Sequence, residues 1–174
     1  FTIMYTGNIG NAQGLDVLID VIKQINDKNI FWIFIGEGSF KKSLIKTLDN
    51  FNVLNKCKFI SQIDISEIPS YAKIADAMFL SLKDNYLFSR TVPAKLQSYM
   101  ALGKPIIASI KGEGADLIIK SNSGIVEKNS SYIELASSIN KLLKLDNFKI
   151  KSIGKNGRKF YEKNFHSKLR KNQI

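Results

Sequence analysis

A glycine-rich loop is the first segment whose residues could do chemistry. Residues 7–14 read GNIGNAQG, directly after an apolar run and directly before a helical pattern. Glycine lets the backbone approach a ligand, and the helix start that follows offers free N–H groups to an anion. The spacing matches neither the dinucleotide fingerprint G-x-G-x-x-G nor the phosphate loop G-x-x-x-x-G-K-[ST]. The loop predicts an anion site of another kind, with a tight turn that binds nothing as the alternative.

A lysine near the start of a later helix is the second candidate. Pro93 suits the first turn of a helix, which places Lys95 close to the helix N-terminus. A cation there opposes the helix dipole, so we expect a compensating partner. An anion shared by Lys95 and the helix end would serve, and Arg90 could add further donors. The alternative is a solvated lysine in a lysine-rich protein.

Two further glycine pairs each enclose a glutamate. Residues 112–116 read GEGAD, where Glu113 suits a sugar or ribose hydroxyl and Asp116 suits the N-cap of the next helix. Residues 36–39 read GEGS, which we interpret as a plain turn rather than a site.

Residue sets for hydrolytic or metal-dependent catalysis are missing from the sequence. His166 is the only histidine and is expected at the surface, and Cys57 is the only cysteine and is expected in the core. A single cysteine excludes an internal disulfide framework and any multi-cysteine zinc site. No carboxylates or histidines have metal-ligand spacing, so we expect no metal and no cofactor.

The elements that must position these loops alternate along the chain. Apolar runs at 1–6, 30–35, 58–60, 77–82, 105–110 and 124–126 predict six strands. Helical patterns separate them, including one at 66–75, one that starts near Pro93 and stops at Gly103, and a last helix from Asp146 onward. Ser131 and Glu134 form a capping-box pair at the start of another. This alternation predicts one α/β domain over residues 1–174, a doubly wound parallel sheet with helices on both faces. Ligands of such sheets bind beyond the carboxyl ends of the strands.

The positive charge is concentrated at one end of the chain. Residues 149–174 contribute +8 of the net charge of +11. We therefore predict a nearly balanced body followed by a basic terminal helix and tail at 146–174. A nucleic-acid-binding module is one alternative, but the tail aromatics Phe148, Phe160, Tyr161 and Phe165 are spaced to pack against the body.

Seven segments follow one another in a recognisable order: YTGNIGNAQGLDVLI, FIGEG, KFI, ADAMFLSL, TVPAKLQSYMALGKPIIA, GEGADLI and IGKNGRKFYEKNF. Over nearly its whole length the chain resembles the C-terminal, donor-binding domain of a GT-B glycosyltransferase of the family-4 type. The branch it resembles is similar to N-acetyl-fucosamine transferases of bacterial surface polysaccharide (capsule, O-antigen) synthesis. The resemblance implies a Rossmann-like domain that binds a nucleotide sugar, with UDP expected.

The resemblance also implies a retaining transfer without metal, in which cations and backbone N–H groups stabilise the departing diphosphate. Lys95 and Arg90 would be the catalytic cations. The implied donor-binding residues are Gly7, Asn8, Gly10, Gln13, Ser98 and Glu113. Most family-4 enzymes carry Arg and Lys where this chain has Asn8 and Gln13, and many carry two glutamates where it has Arg90 and Ser98. We interpret these departures as a trait of the branch.

The chain begins without Met inside an apolar segment, which we interpret as a cut into a longer protein whose N-terminal acceptor domain is absent. The isolated domain is then expected to bind donor weakly and transfer little. A cytoplasmic location is expected, peripheral to the membrane if the basic tail contacts anionic lipid or the missing domain. An alternative enzyme class is a GT-B epimerase acting on a UDP-sugar, which would need acidic and histidine residues in the cleft.

Overall fold

The computed structural model describes residues 1–25, 29–84, 90–129 and 131–165. Six parallel strands form one sheet in the order β3-β2-β1-β4-β5-β6. The strands are β1 (Thr2–Thr6), β2 (Phe31–Ile35), β3 (Cys57–Ile60), β4 (Ala77–Ser81), β5 (Ile106–Ser109) and β6 (Gly124–Glu127). The helices are α1 (Val17–Gln24), α2 (Lys41–Asn50), α3 (Ile68–Ala72), α4 (Ala94–Leu102), α5 (Glu113–Lys120), α6 (Tyr132–Leu143) and α7 (Asn147–Asn164). The predicted α/β, Rossmann-like doubly wound fold is confirmed.

Apolar residues on both faces of the strands explain why the helices form two layers. In β2, Trp32 and Phe34 join the core beneath α1, α2 and α6, whereas Ile33 and Ile35 join the core beneath α3, α4, α5 and α7. Side chains alternate between faces along a strand, so a continuous apolar run is buried on both. All five residues of β4 are buried in the same way.

The sheet order reverses between β1 and β4. β1 pairs with β2 on one side and with β4 on the other. The chain forms β3 at one edge of the sheet before it returns to form β4 beside β1. Loops at the carboxyl ends of two such strands diverge and leave a crevice, which is where ligands of this architecture bind.

The final helix is part of the packed body rather than an appendage. A Cβ at Gly154 would lie 2.1 Å from the Gly103 carbonyl oxygen, so only a glycine lets α7 approach the turn after α4 so closely. The Arg158 guanidinium donates to the Ala101 carbonyl at the C-terminus of α4. The predicted helix start is confirmed, because Asp146 caps α7 by accepting from the Lys149 amide at 2.7 Å.

Several local predictions are corrected. Cys57 opens β3 instead of preceding it, and the helix predicted from residue 66 covers only Ile68–Ala72. The N-cap of α5 is Gly112, with φ of 74°, so Asp116 is not a cap and instead pairs with Lys128 at 2.9 Å. Phe148 does not pack against the body, because 82% of its surface is exposed. His166 and the tail beyond it lie outside the described residues.

Candidate functional site

A cavity of about 650 Å³ lies at the carboxyl edge of the sheet, beside the point where the strand order reverses. Its wall is formed by the end of β1 and its loop, the loops after β2 and β3, and the first turns of α3 and α4. Gly7, Asn8, Lys95 and Ser98, four of the predicted site residues, line it. A volume of this size suits a small-molecule ligand.

The loops after β1 and β2 are built against each other backbone to backbone. A Cβ at Gly36 would lie 2.0 Å from the Gly7 carbonyl oxygen, and one at Gly38 would lie 2.4 Å from the Ile9 carbonyl oxygen. The Ile9 amide donates to the Glu37 carbonyl at 2.7 Å. The glycines of the second loop therefore form part of the cavity wall, and the plain turn that the sequence suggested is corrected.

The loop after β1 is also tied to the end of β4. Ser81 Oγ donates to the Gln13 carbonyl at 2.6 Å, and the Lys83 amide donates to the Ala12 carbonyl at 3.0 Å. Gly14 adopts a left-handed conformation with φ of 62°. Gly10 lies inside this loop, buried against the Asn8 side chain, so it shapes the loop without lining the cavity.

The Lys95 side chain extends from α4 toward β1 and the loop that follows β1. Its ammonium donates to the Tyr5 hydroxyl at 2.6 Å and to Gln13 Oε1 at 3.4 Å. It also lies 4.0 Å from the centre of the Tyr5 ring, a cation–π geometry. A Cβ at Gly7 would lie 3.3 Å from the Lys95 Nζ, so glycine at this position gives the ammonium room.

The charge of Lys95 has no carboxylate partner among the described residues. Burial lowers the pKa of Lys95 to about 8, because the ammonium loses water without gaining an opposite charge. The compensating partners expected from the sequence turn out to be neutral groups, Tyr5 and Gln13. A cation so placed favours binding of an anion from the cavity.

Tyr99 holds the end of β1 from the α4 side. Its hydroxyl accepts from the Thr6 amide at 2.9 Å and donates to the Thr6 carbonyl at 3.3 Å. Burial raises the pKa of Tyr99 to about 12, so the hydroxyl stays neutral. These hydrogen bonds therefore fix α4 to the end of β1, directly beneath the loop that lines the cavity.

The remaining predicted residues lie farther from this centre. Ser98 lines the cavity, and its hydroxyl donates back to the Ala94 carbonyl at 3.2 Å. Glu113 is the first residue of α5 and is exposed; α5 contacts the start of α4, where a Cβ at Gly114 would lie 3.0 Å from Pro93 Cδ. Arg90 is exposed and does not line this cavity. The roles assigned to these residues stay predictions.

Sequence reasoning missed Tyr5, Tyr99 and Glu37 as parts of the site. Tyr5 and Tyr99 stand in apolar runs and are almost completely buried. Their signal was available, because a buried tyrosine hydroxyl needs a hydrogen-bond partner and here each finds one beside the loop.

The described residues include neither a metal-binding cluster nor a membrane-spanning helix. In those ranges no three His, Cys, Asp or Glu side chains are grouped so that they could hold a metal ion. None of the helices in the described part of the chain has the length and apolar character needed to span a membrane.

Comparison with known proteins gives a consistent family. The profile described as "Glycosyl transferases group 1" matches residues 1–160. An uncharacterized glycosyltransferase of Methanocaldococcus jannaschii, MJ1178, is 28% identical over 92% of this chain and 43% of its own length. The putative colanic acid biosynthesis glycosyl transferase WcaI of Escherichia coli K12 is 27% identical over 58% of this chain and 24% of its own length. The chain spans less than half the length of these curated relatives.

Solved structures share the fold. HepE of Anabaena, in complex with UDP and glucose, superposes with a TM-score of 0.82 at 22% identity, over 100% of this chain and 46% of its own. The C-terminal domain of a group 1 family protein, LpcC of Francisella tularensis, gives a TM-score of 0.78 at 20% identity. That match covers 96% of this chain and 87% of the LpcC domain. The architecture described above is thus that of a GT-B C-terminal domain.

Proposed function

The chain belongs to the glycosyl transferases group 1 family, and from this premise we propose that its cavity binds the diphosphate and nucleoside of a UDP-sugar donor. The observation that carries the proposal is Lys95, a cation on the cavity wall with no carboxylate partner among the described residues. Binding of UDP and UDP-glucose by HepE, whose fold this chain shares, supports uridine as the nucleoside.

The reaction that we propose for the whole protein is a retaining glycosyl transfer. The bond between the anomeric carbon and the diphosphate breaks, a bond to the acceptor oxygen forms, and the acceptor proton leaves with the diphosphate. Negative charge develops on that diphosphate, and Lys95 with the glycine-loop backbone would stabilise it without a metal ion. Arg90 and Glu113 keep their predicted roles, as second cation and as ligand of donor hydroxyls.

An epimerase acting on a UDP-sugar receives less support. The described cavity lining contains one carboxylate, Glu37, and no histidine. Glu37 is paired with Lys41 at 2.7 Å, and this contact lowers the pKa of its carboxyl. Proton abstraction from a sugar would need a base better placed than this one.

The donor proposal is tested by calorimetry with UDP-, GDP- and ADP-glucose. We expect binding of a UDP-sugar at micromolar to millimolar concentration that is unchanged by a chelator, together with little sugar transfer by this chain without an acceptor domain. Absence of binding by all three at millimolar concentration would overturn the donor site. Chelator-sensitive binding would overturn the metal-independent mechanism.

For the whole protein we propose a role in bacterial surface polysaccharide synthesis, which the similarity to WcaI supports. We also propose that α7 contacts anionic lipid. Its exposed residues Phe148, Lys151, Lys155, Lys159 and Lys163 recur at helical spacing and so share one face. These four lysines form no ion pair with another described residue. A cationic face with an exposed aromatic at one end suits an anionic membrane surface.

The lipid proposal is tested by co-sedimentation with vesicles of phosphatidylcholine alone or with phosphatidylglycerol added. We expect binding only to the anionic vesicles, weakened by salt and by the triple variant K151Q/K155Q/K159Q. Equal sedimentation of wild type and triple variant would refute the role of this face, and tight binding to RNA at physiological salt would favour the nucleic-acid alternative.

A further inference from the structure

Tyr5 is a buried tyrosine that connects the two sides of the cavity wall. It lies in β1 and only 1% of its surface is exposed. Its hydroxyl accepts the hydrogen bond of the Lys95 ammonium at 2.6 Å and donates to the Asn8 carbonyl. One hydroxyl therefore joins the cation of α4 to the glycine loop, and both of these line the cavity.

These contacts hold the ammonium without using all of its hydrogen-bond donors. A lysine has three N–H donors, and those of Lys95 have two described acceptors, Tyr5 and Gln13. The Tyr5 ring adds a cation–π contact beneath the ammonium. At least one donor thus has no described protein partner on a side chain that lines the cavity.

We propose that Tyr5 is a positioning residue for Lys95, holding its ammonium in register with the Gly7–Asn8 backbone so that both meet the donor diphosphate together. This inference rests on the proposed donor site. The hydroxyl acts on the ligand only through Lys95 and Asn8, because Tyr5 itself does not line the cavity.

A phenol suits this task better than a carboxylate. A carboxylate at the position of the Tyr5 hydroxyl would neutralise Lys95 and compete with the diphosphate for its charge. Burial raises the pKa of Tyr5 far above its ordinary value, so the hydroxyl accepts a hydrogen bond and remains neutral. Lys95 therefore keeps its positive charge for the ligand, because the hydroxyl that holds it carries no negative charge.

Few other titratable groups in the described part of the chain face Lys95. The described cavity lining adds two, Tyr99 from its own helix and Glu37 from the loop after β2, and Lys41 of α2 reaches Glu37. Burial keeps Tyr99 neutral, and Lys41 keeps Glu37 ionised. Between pH 6.5 and 8.5, Lys95 is therefore the described group whose protonation mainly sets the change in UDP-sugar binding.

The variant Tyr5→Phe tests the proposal because it keeps the ring and removes only the hydroxyl. We expect UDP-sugar affinity at pH 7.5 to fall about tenfold, as a hydrogen bond to a charged group is lost. We also expect the pH above which binding weakens, about 8 for wild type, to move to lower pH by roughly half a unit or more. The ammonium loses an acceptor that favoured its protonated form, so it gives up its proton more easily.

Tyr132→Phe is the matched control, because Tyr132 lies at the start of α6, outside the wall of this cavity. It should leave both the affinity and its pH midpoint unchanged. A Tyr5→Phe protein that is less stable but binds UDP-sugar with the wild-type affinity and pH midpoint would overturn the positioning role. If wild type itself does not bind a UDP-sugar, the donor site fails instead, so the two failures are distinguishable.

Discussion

Lys95 and the lysines of α7 carry the same charge in opposite surroundings. Lys95 is half-buried between β1 and α4, held by neutral groups, and its pKa falls to about 8. Lys151, Lys155 and Lys159 stand on the exposed face of α7, where water solvates each ammonium. Residues 149–174 carry +8 of the net charge of +11, yet Lys95, beside the reversal of the strand order, is the cation that we propose to bind the donor.

The difference shows that the surroundings of a cation, rather than the number of cations, decide how strongly it attracts an anion. Coulomb interactions between exposed charges are weakened by water and salt, whereas those at a half-buried site are screened far less. The burial that makes Lys95 costly to the fold is also what would strengthen its attraction for the proposed donor diphosphate. The α7 lysines cost little and, in the role proposed for them, would act together on an extended anionic surface.

The sharpest test of this contrast compares Lys95→Met with Lys159→Met. We expect Lys95→Met to weaken UDP-sugar binding at least about 30-fold, since about 2 kcal/mol of charge-assisted hydrogen bonding is lost. Lys159→Met should change the affinity less than twofold. Calorimetry at pH 7.5 measures both, and equal losses in the two variants would mean that overall charge rather than the Lys95 site attracts the donor.

Gly154→Ala tests whether the inner face of α7 packs as closely against the body as the loops of the cavity wall pack against each other. We expect the free energy of unfolding to fall by about 2 kcal/mol, because the new methyl group would meet the Gly103 carbonyl and force the helix outward. This loss exceeds the gain in helix propensity of about 1 kcal/mol. Urea denaturation measures it, with the exposed Ser152→Ala as control, and a stabilised Gly154→Ala would show that α7 is not packed as described.

As pH rises, the stability of the unliganded protein should increase, whereas UDP-sugar binding at Lys95 should weaken. The folded pKa of about 8 lies below the unfolded value, so burial of the ammonium opposes folding in full below pH 8. That cost fades as pH rises toward about 10.4, the ordinary pKa of lysine. We expect Lys95→Met to be about 1 kcal/mol more stable than wild type at pH 7, with a difference that shrinks at high pH. Thermal unfolding of both proteins from pH 7 to 10 measures this, and a destabilised variant would contradict it.

The smallest effect is expected on the outer face of α7. The triple variant K151Q/K155Q/K159Q should change the free energy of unfolding by less than about 0.5 kcal/mol and UDP-sugar affinity by less than twofold. Denaturation and calorimetry check these values at low salt. A large loss of stability would mean that these lysines take part in packing, and the contrast with Lys95 would fail.

Much of the fold was predictable because it depends on local pattern. The apolar runs and helical periodicity located the six strands, and Gly103, with φ of 67°, ends α4 as predicted. The capping role of Ser131 is likewise confirmed, since its side chain accepts from the Glu134 amide. Errors fell on element ends, such as Asp116 and the helix predicted from residue 66, where a few weak contacts decide where a helix begins.

The candidate site was predictable only in part. Gly7, Asn8 and Lys95 were identified from loop composition, helix position and family resemblance, and they do line one cavity. Gly36 and Gly38 were interpreted as an ordinary turn, because the need for glycine there comes from a second loop that contacts them. No pattern within the segment itself could reveal a contact with residues about 30 positions away.

The sequence by itself determined the alternation of strands and helices, the loops that meet at one edge of the sheet, and the excess of positive charge toward the C-terminus. Each of these follows from interactions between neighbours along the chain. Only the tertiary structure decided that Tyr5, Gln13 and Lys95 meet, and that α7 packs through Gly154 while its lysines stay in water. Burial and the pKa shift that follows from it depend on residues distant in sequence, because desolvation is produced by the packed fold as a whole.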